Sequence, residues 1–234
     1  LDRLYKDAKL IDLKIHLTRK KISEALIKTI KINKMKTDVH LRIIISRGIK
    51  STPYQSPKVT ISKPTIIIIP EYKKPDIKAY KKGLKLVTVK TIRGPINVQN
   101  PQINSLSKLN CILACIEANK KNADEALMFD INGNIATNNS THFFFVKNKT
   151  VFTSTGKYCV TGITRQKIID ICKKNKIKVK EKNFKLNEVL NADEAFCTGS
   201  FAGIVPVNQI NKKKYSLKKN PITKELTNFY NNLF

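Results

Sequence analysis

The sequence predicts an α+β chain of two domains: a smaller N-terminal α/β domain over residues 1–98, linker included, and a β-rich C-terminal domain over residues 99–234 flanked by helices. Three observations predict it. The hydrophobic period switches repeatedly between helical and strand spacing. The segment RGPINVQNPQIN at 93–104 carries Gly94, Pro95 and Pro101 with little periodicity, as a linker would. The stretch from Ser105 to Val207 then alternates helix-like and strand-like patterns, punctuated by SLSKLN at 105–110, TGITR at 161–165 and TGSFAG at 198–203.

Composition bounds the classes. With 234 residues, 41 % of them hydrophobic, the chain can build a real core. Its longest apolar run, TIIIIP at 65–70, is too short to span a bilayer, so a soluble protein without a membrane role is expected. The chain opens on Leu1 inside an amphipathic pattern and reads as a fragment or processed product. Five cysteines without a CxxC pair argue against a disulfide framework and for a reducing, cytoplasmic setting; the three scattered histidines supply no metal site. The formal charge of +28 invites a nucleic-acid reading. Against it, arginine occurs only at Arg3, Arg19, Arg42, Arg47, Arg93 and Arg165, and the lysines spread along the whole chain, so a solvated lysine surface is favoured.

In order, Leu1, Leu4, Ala8 and Ile11 form one stripe of an amphipathic helix over residues 1–13, and Thr18 offers an N-cap to a second helix near 20–34, with Ile22, Leu26, Ile27 and Ile30 inward. VHLRIIISRG at 39–48 reads as a strand, as do 65–69 and 84–90, with a short lysine-rich helix near 74–82 between the last two. After the linker, Leu106, Leu109, Leu113 and Ile116 recur at helical spacing, which predicts a helix from Ser105 with that stripe, and Cys111 and Cys115, toward the core. Strands follow at 125–130, 142–146 and 151–154, with NIATNNST between the first two as a loop. Next come a helix at 164–175, a strand at 177–182, a short helix at 186–191, strands at 194–197 and 203–207, and a closing helix at 221–233.

Two of the punctuating turns suit an anion. In TGITR, Gly162 permits close approach while Ile163 and Thr164 open a helix, where unpaired amides and the positive end of the dipole favour negative charge. An ordinary helix cap is the plain alternative, and it loses ground because TGSFAGIVPV supplies a second small-residue turn behind the ADEAF strand.

Taken with LDRLY at 1–5 and TKELTNFY near the end, these segments resemble the class IV (fold type IV) pyridoxal-phosphate enzymes: branched-chain and D-amino-acid aminotransferases and aminodeoxychorismate lyase. The resemblance spans the chain except for the family's opening strands, so the N-terminal domain is expected to be incomplete. It implies pyridoxal 5'-phosphate as cofactor, its phosphate held by Ile163, Thr164 and Ser200 with Gly162 and Gly199 beside them and Arg3 as a further ligand. An arginine fork meets a phosphate with two parallel hydrogen bonds.

The resemblance also exposes departures. The family lysine that forms a Schiff base with the cofactor falls on Asn104, which cannot do so. On the predicted helix Lys108 lies one turn further along the same face, and it becomes the candidate catalytic lysine, against the plain reading of a solvated helix residue. The family glutamate at the pyridine nitrogen falls on Thr137, a hydrogen-bonding group without charge; Asn138, Asn139 and Ser140 could line the ring's polar edge. In SRGIKSTPYQSP at 46–57 the places of a carboxylate-binding arginine and histidine hold Thr52 and Tyr54, which disfavours a D-amino-acid enzyme. Tyr54 and Phe201, with Arg47 and Arg93, remain substrate-pocket candidates, and Tyr158 and Cys159 could edge the pocket. The implied activity is exchange of an amino group between a branched-chain or similar apolar L-amino acid and a 2-oxo acid, by a homodimer. A lyase of the aminodeoxychorismate type and a non-catalytic paralogue stay open as alternatives.

Overall fold

Alternating branched residues make a two-stranded ribbon in the first part of the computed structural model, which describes residues 1–233. The chain divides into two compact units, Leu1–Pro75 and Asp76–Phe234. In the first, helix α1 (Asp2–Lys9) and helix α2 (Arg19–Ile32) precede strand β1 (Val39–Ser46) and strand β2 (Thr65–Tyr72), which pair antiparallel from Val39↔Tyr72 to Ser46↔Thr65. The Thr18 hydroxyl accepts from the Lys21 amide at 3.3 Å, capping α2 as its position predicts. Ile22 is wholly buried, Leu26 and Ile30 half-buried, and Ile27 stays exposed. Of the stripe expected on α1, only Ala8 is buried.

The second unit is built on a nine-stranded mixed sheet. Its elements are helix α3 (Ile77–Lys82), strand β3 (Leu84–Thr88), helix α4 (Leu109–Lys120), strands β4 (Glu125–Phe129), β5 (Ile135–Asn138), β6 (His142–Lys147) and β7 (Thr150–Thr153), then helix α5 (Ile163–Lys174). Strand β8 (Val179–Glu181), helix α6 (Leu186–Leu190), strands β9 (Glu194–Gly199), β10 (Gly203–Ile210) and β11 (Lys213–Lys214), and helix α7 (Pro221–Asn231) complete it. The strand order is β5-β4-β3-β10-β9-β6-β7-β8, with β11 against β10. β3 runs parallel to β4 and β10, and β7 parallel to β8; the other pairs are antiparallel.

Strand alternation sorts HFFFV between two cores. Phe143 and Phe145 join Leu127, Phe184, Val189 and Val207 on one side. Phe144 and Val146 join Phe196, Ile204 and residues of α5 and α7 on the other. Phe144 stacks on Phe196 with ring centroids 5.0 Å apart, and Phe145 meets Phe184 edge-on at 4.9 Å.

Three expectations change. The 84–88 strand lies inside the second unit, because β3 pairs with β4 and β10; the units divide at Pro75, ahead of the expected linker at 93–104. NIATNNST contains a strand, β5, since Ile135 and Ala136 are buried and Met128 pairs with Thr137. Helix α4 starts at Leu109 and presents its other face to the sheet. Ala114 and Ala118 pack on Val89, Ala126 and Met128, while Leu106, Leu109, Leu113 and Ile116 are exposed. Small side chains let the helix approach the sheet where a leucine stripe would hold it off, so the larger residues point outward. Cys111 is buried, Cys115 half-buried, and all five thiols are free.

Overpacking tests that contact. Ala118→Leu should cost about 1–3 kcal/mol in urea unfolding; an unchanged midpoint would show that the α4–sheet contact is loose.

Candidate active site

Antiparallel pairing of β6 with β9 puts the start of one strand beside the end of the other. His142 stands opposite Thr198, and Thr198 runs into Gly199 and Ser200, the turn that leads to β10 through Gly203. The His142 ring reaches the other turn: Nε2 donates to the Val160 carbonyl at 2.7 Å. A Cβ on Gly162 would stand 2.7 Å from His142 Cε1 and 2.8 Å from Nδ1, so only glycine lets the turn lie on this ring. One imidazole therefore holds the 160–164 turn against the strand edge that ends in Gly199 and Ser200, and both anion-suited turns share that edge.

The first turn is open in the way an anion needs. Gly162 is the N-cap of α5 and offers no capping side chain, and there is no acid in the first turn. The first intrahelical bond runs from the Gln166 amide to the Gly162 carbonyl. The amides of Ile163, Thr164 and Arg165 thus have no acceptor within the helix. Thr164 is buried and Ile163 is half exposed. The Thr198 hydroxyl is buried without a partner among the described residues. Arg165 plays a structural part: its guanidinium donates to the Ser154 carbonyl at 2.6 Å and pairs with Glu181 at 2.7 Å, tying α5 to β7 and β8.

Beneath the edge lies a buried acid. Glu125 accepts hydrogen bonds from the Ser140 and Thr141 hydroxyls. Burial raises its carboxyl above the ordinary carboxylate value, and these donors oppose the rise only in part. Glu125 anchors the 138–141 turn from which His142 emerges. Cys197, opposite Phe143, is fully enclosed, and burial holds its thiol protonated.

Each candidate from the sequence has a definite place. Gly162 lies against the His142 ring with Ile163 and Thr164 following it, and Gly199 and Ser200 follow Thr198, which pairs with His142. Arg3 lies on α1 and Tyr54 in the β1–β2 connection, both in the first unit, and Tyr54 is largely exposed. Phe201 sits half-buried in the β9–β10 turn. The Thr137 hydroxyl donates to the Thr141 carbonyl at 2.9 Å, so toward a further group it can only accept. Asn138 faces the other way: its amide donates to Thr141 Oγ1 at 2.8 Å and Cys197 Sγ at 3.0 Å, inside the core rather than along a ring edge. Tyr158 and Cys159 are buried, and Arg93, also buried, donates to the Tyr158 carbonyl at 3.1 Å.

Lys108 departs from its expected setting. Residues 101–107 are not helical, so Asn104 and Lys108 do not share a helical face; Lys108 is the N-cap residue of α4, half-buried. It lines a cavity of about 510 Å³ with Ile92, Arg93, Val98, Asn110 and Ile131, and neither turn contributes to that lining. His142, Thr198 and Glu125 were not singled out from sequence. No local pattern links position 142 to 162, because the contact arises from strand pairing.

The chain also has recognisable relatives. The family model for class IV amino-transferases matches residues 1–210. Branched-chain-amino-acid aminotransferase-like protein 2 of Arabidopsis thaliana is 35 % identical over 234 residues, all of this chain and 42 % of the relative. The branched-chain-amino-acid aminotransferase of Pseudomonas aeruginosa is 27 % identical over 98 % of this chain and 75 % of its own. Among solved structures, branched-chain aminotransferase from Thermoproteus uzoniensis, crystallised with norvaline, superposes with a TM-score of 0.90 at 26 % identity, covering 99 % of this chain and 76 % of that one. The fold and these matches together define a fold type IV chain. It belongs to the class IV aminotransferases. The chain spans 42 % of the Arabidopsis relative's length.

Two substitutions test the site. Gly162→Ala should displace the turn from His142 and weaken phosphate or pyridoxal-phosphate binding at least tenfold in equilibrium titration; unchanged affinity would remove the turn from the site. Glu125→Gln separates charge from hydrogen bonding. Because the folded-state pKa is raised, the acid's burden grows as pH climbs above its ordinary value of 4.5. The glutamine variant should therefore gain stability relative to wild type between acid and neutral pH, whereas Glu125→Ala should lose about 1–3 kcal/mol. A parallel pH profile for wild type and Glu125→Gln would overturn the assignment.

Proposed function

We propose that this chain is a pyridoxal-phosphate-dependent aminotransferase that exchanges an amino group between a branched-chain or similar apolar L-amino acid and a 2-oxo acid. The observation that carries the reading is the convergence of the two amide- and hydroxyl-lined turns on one strand edge, joined by His142. The residues present fit a phosphate: an uncapped helix N-terminus without acid, a turn that requires glycine at Gly162, and Ser200 on the neighbouring turn. Ile163, Thr164 and Ser200, with Gly199 beside them, would hold it there, and Arg3 is proposed as its cationic ligand. When bound, the cofactor supplies an electron sink for the carbon that bears the amino group.

The chain's own residues set the remaining conditions. Thr137 would meet the ring nitrogen as a neutral acceptor, because its proton is held by the Thr141 carbonyl. Lys108 is the proposed amine, and from the cap of α4 it must reach the cofactor without help from helical register. Phe201 and Tyr54 are proposed on the substrate side. The relatives named for branched-chain amino acids support the substrate class. Five free thiols support a reducing, cytoplasmic setting, and pairing of two copies is proposed with it.

Titration with pyridoxal phosphate, borohydride reduction and peptide mass mapping test the reading. Expected are saturable binding, a cofactor adduct on Lys108, and amino transfer from leucine or valine to 2-oxoglutarate that Lys108→Ala abolishes. An adduct on another lysine overturns the Lys108 assignment. Binding without an adduct or turnover overturns the transaminase and leaves a cofactor-binding relative. Pyruvate release from aminodeoxychorismate without an acceptor would assign the lyase.

A further inference from the structure

Within the second unit, helices α3 and α7 both pack on β10, and a cavity of about 320 Å³ lies where they meet it. Tyr80, Ile204, Pro206 and Leu217 make its wall, and Asn220 and Thr223 its floor. Lys81 and Lys224 also line it and stand exposed at its mouth. The floor is short of partners. Asn220 and Thr223 are only 6 and 2 % exposed, and Asn220 Oδ1 and Thr223 Oγ1 are buried with no hydrogen-bond partner among the described residues. Two such groups side by side cost stability that an occupant able to bond them would restore. The backbone of α7 does not offer itself to an anion here. Pro221 has no amide hydrogen, the Ile222 and Thr223 amides donate to the Glu194 carboxylate at 3.1 and 2.7 Å, and the Lys224 amide donates to the Asn220 carbonyl at 3.1 Å.

Three constraints identify the occupant. At the floor, Asn220 Oδ1 can only accept and the Thr223 hydroxyl can accept, with the Glu194 carboxylate behind them, so the matching group is a donor and best a cation. At the mouth the charge is reversed. Lys81 and Lys224 have no acidic partner within 4.0 Å among the described residues, and Lys224 Nζ reaches only the Lys218 carbonyl at 3.3 Å, so this end suits a carboxylate. Between the two ends the wall is apolar. A simple anion would leave the floor unmet, and a simple amine the mouth. The volume stands at the small end of ligand sites, too tight for a nucleotide. We propose that this cavity is a second binding site, for a free α-amino acid with an apolar side chain: ammonium toward Asn220 and Thr223, carboxylate toward Lys81 and Lys224, side chain along Ile204, Pro206 and Leu217. None of the residues proposed for the cofactor lines it. The Tyr80 hydroxyl donates to the Ala202 carbonyl, in the turn that also carries Gly199 and Ser200, so the cavity wall is bonded to that turn. The site stands whether or not the chain transfers amino groups.

Calorimetric titration of the full chain with α-methyl-leucine, which has no α-proton and cannot be consumed by amino transfer, tests it with and without saturating pyridoxal phosphate. The expected result is saturable binding in both states. 4-Methylvalerate, which lacks the ammonium, and isopentylamine, which lacks the carboxylate, should each bind at least tenfold more weakly. Thr223→Val should weaken α-methyl-leucine binding at least tenfold, and so should Lys81→Glu with Lys224→Glu. Melting curves verify that the variants fold; should Thr223→Val misfold, the two exposed lysines carry the test alone. No binding up to millimolar ligand overturns the inference. So does binding that survives the lysine changes, or 4-methylvalerate binding as tightly as the amino acid. Binding that Gly162→Ala abolishes while the lysine changes leave it intact puts the amino acid at the cofactor turns and overturns the second site. Amino transfer from leucine to 2-oxoglutarate reads the functional proposal separately: a chain that binds α-methyl-leucine as expected and transfers nothing keeps this site and loses the transaminase.

Discussion

The candidate site depends on the antiparallel pairing of β6 and β9. Antiparallel neighbours exchange ends, so the residue that opens β6 sits beside the residue that closes β9. Without that register His142 would emerge away from Thr198, and its ring could not bridge to Val160 and Gly162. The pairing is itself fixed by burial. Phe143 and Phe145 face one core and Phe144 and Val146 the other. A shift of one residue would exchange the two sets, sending each into a core shaped for the other.

Polar burden gathers around the same edge. Glu125 is buried among hydroxyls, and Asn138 Oδ1, Arg165 Nε and Thr198 Oγ1 are buried without partners among the described residues. Each such group costs stability unless something compensates it. The flanking aromatic stacks and the two apolar cores supply that compensation. This uneven distribution, with apolar density behind and unsatisfied polarity in front, is what a binding site on a rigid scaffold requires.

Local signals made most of the fold legible. Thr18 was readable as a cap because its hydroxyl serves an amide three residues away, and the helix after Gly162 because its period is regular. The two turns were legible for the same reason. What was not legible depends on distant partners. β5 hid in NIATNNST because the Thr137 hydroxyl and the Asn138 amide donate to Thr141 and Cys197 inside the protein, contacts that no local pattern announces. The face of α4 was misread because leucine spacing signals an apolar stripe without saying what covers it, while alanines that fit a close sheet give a weak signal. His142 had no local mark at all, since its partners lie 18 residues away in sequence.

That contrast separates holding a cofactor from turning it over. Apart from Arg3, the groups proposed for the phosphate are backbone amides and a turn hydroxyl, placed by strand pairing and a glycine contact. None depends on what stands at position 104. The proposed amine sits instead on Lys108, at the cap of a helix whose register against the sheet is set by Ala114 and Ala118. The cradle can therefore persist unchanged whether or not a lysine answers it, and affinity for the cofactor and the rate of amino transfer become two properties set by different parts of the chain.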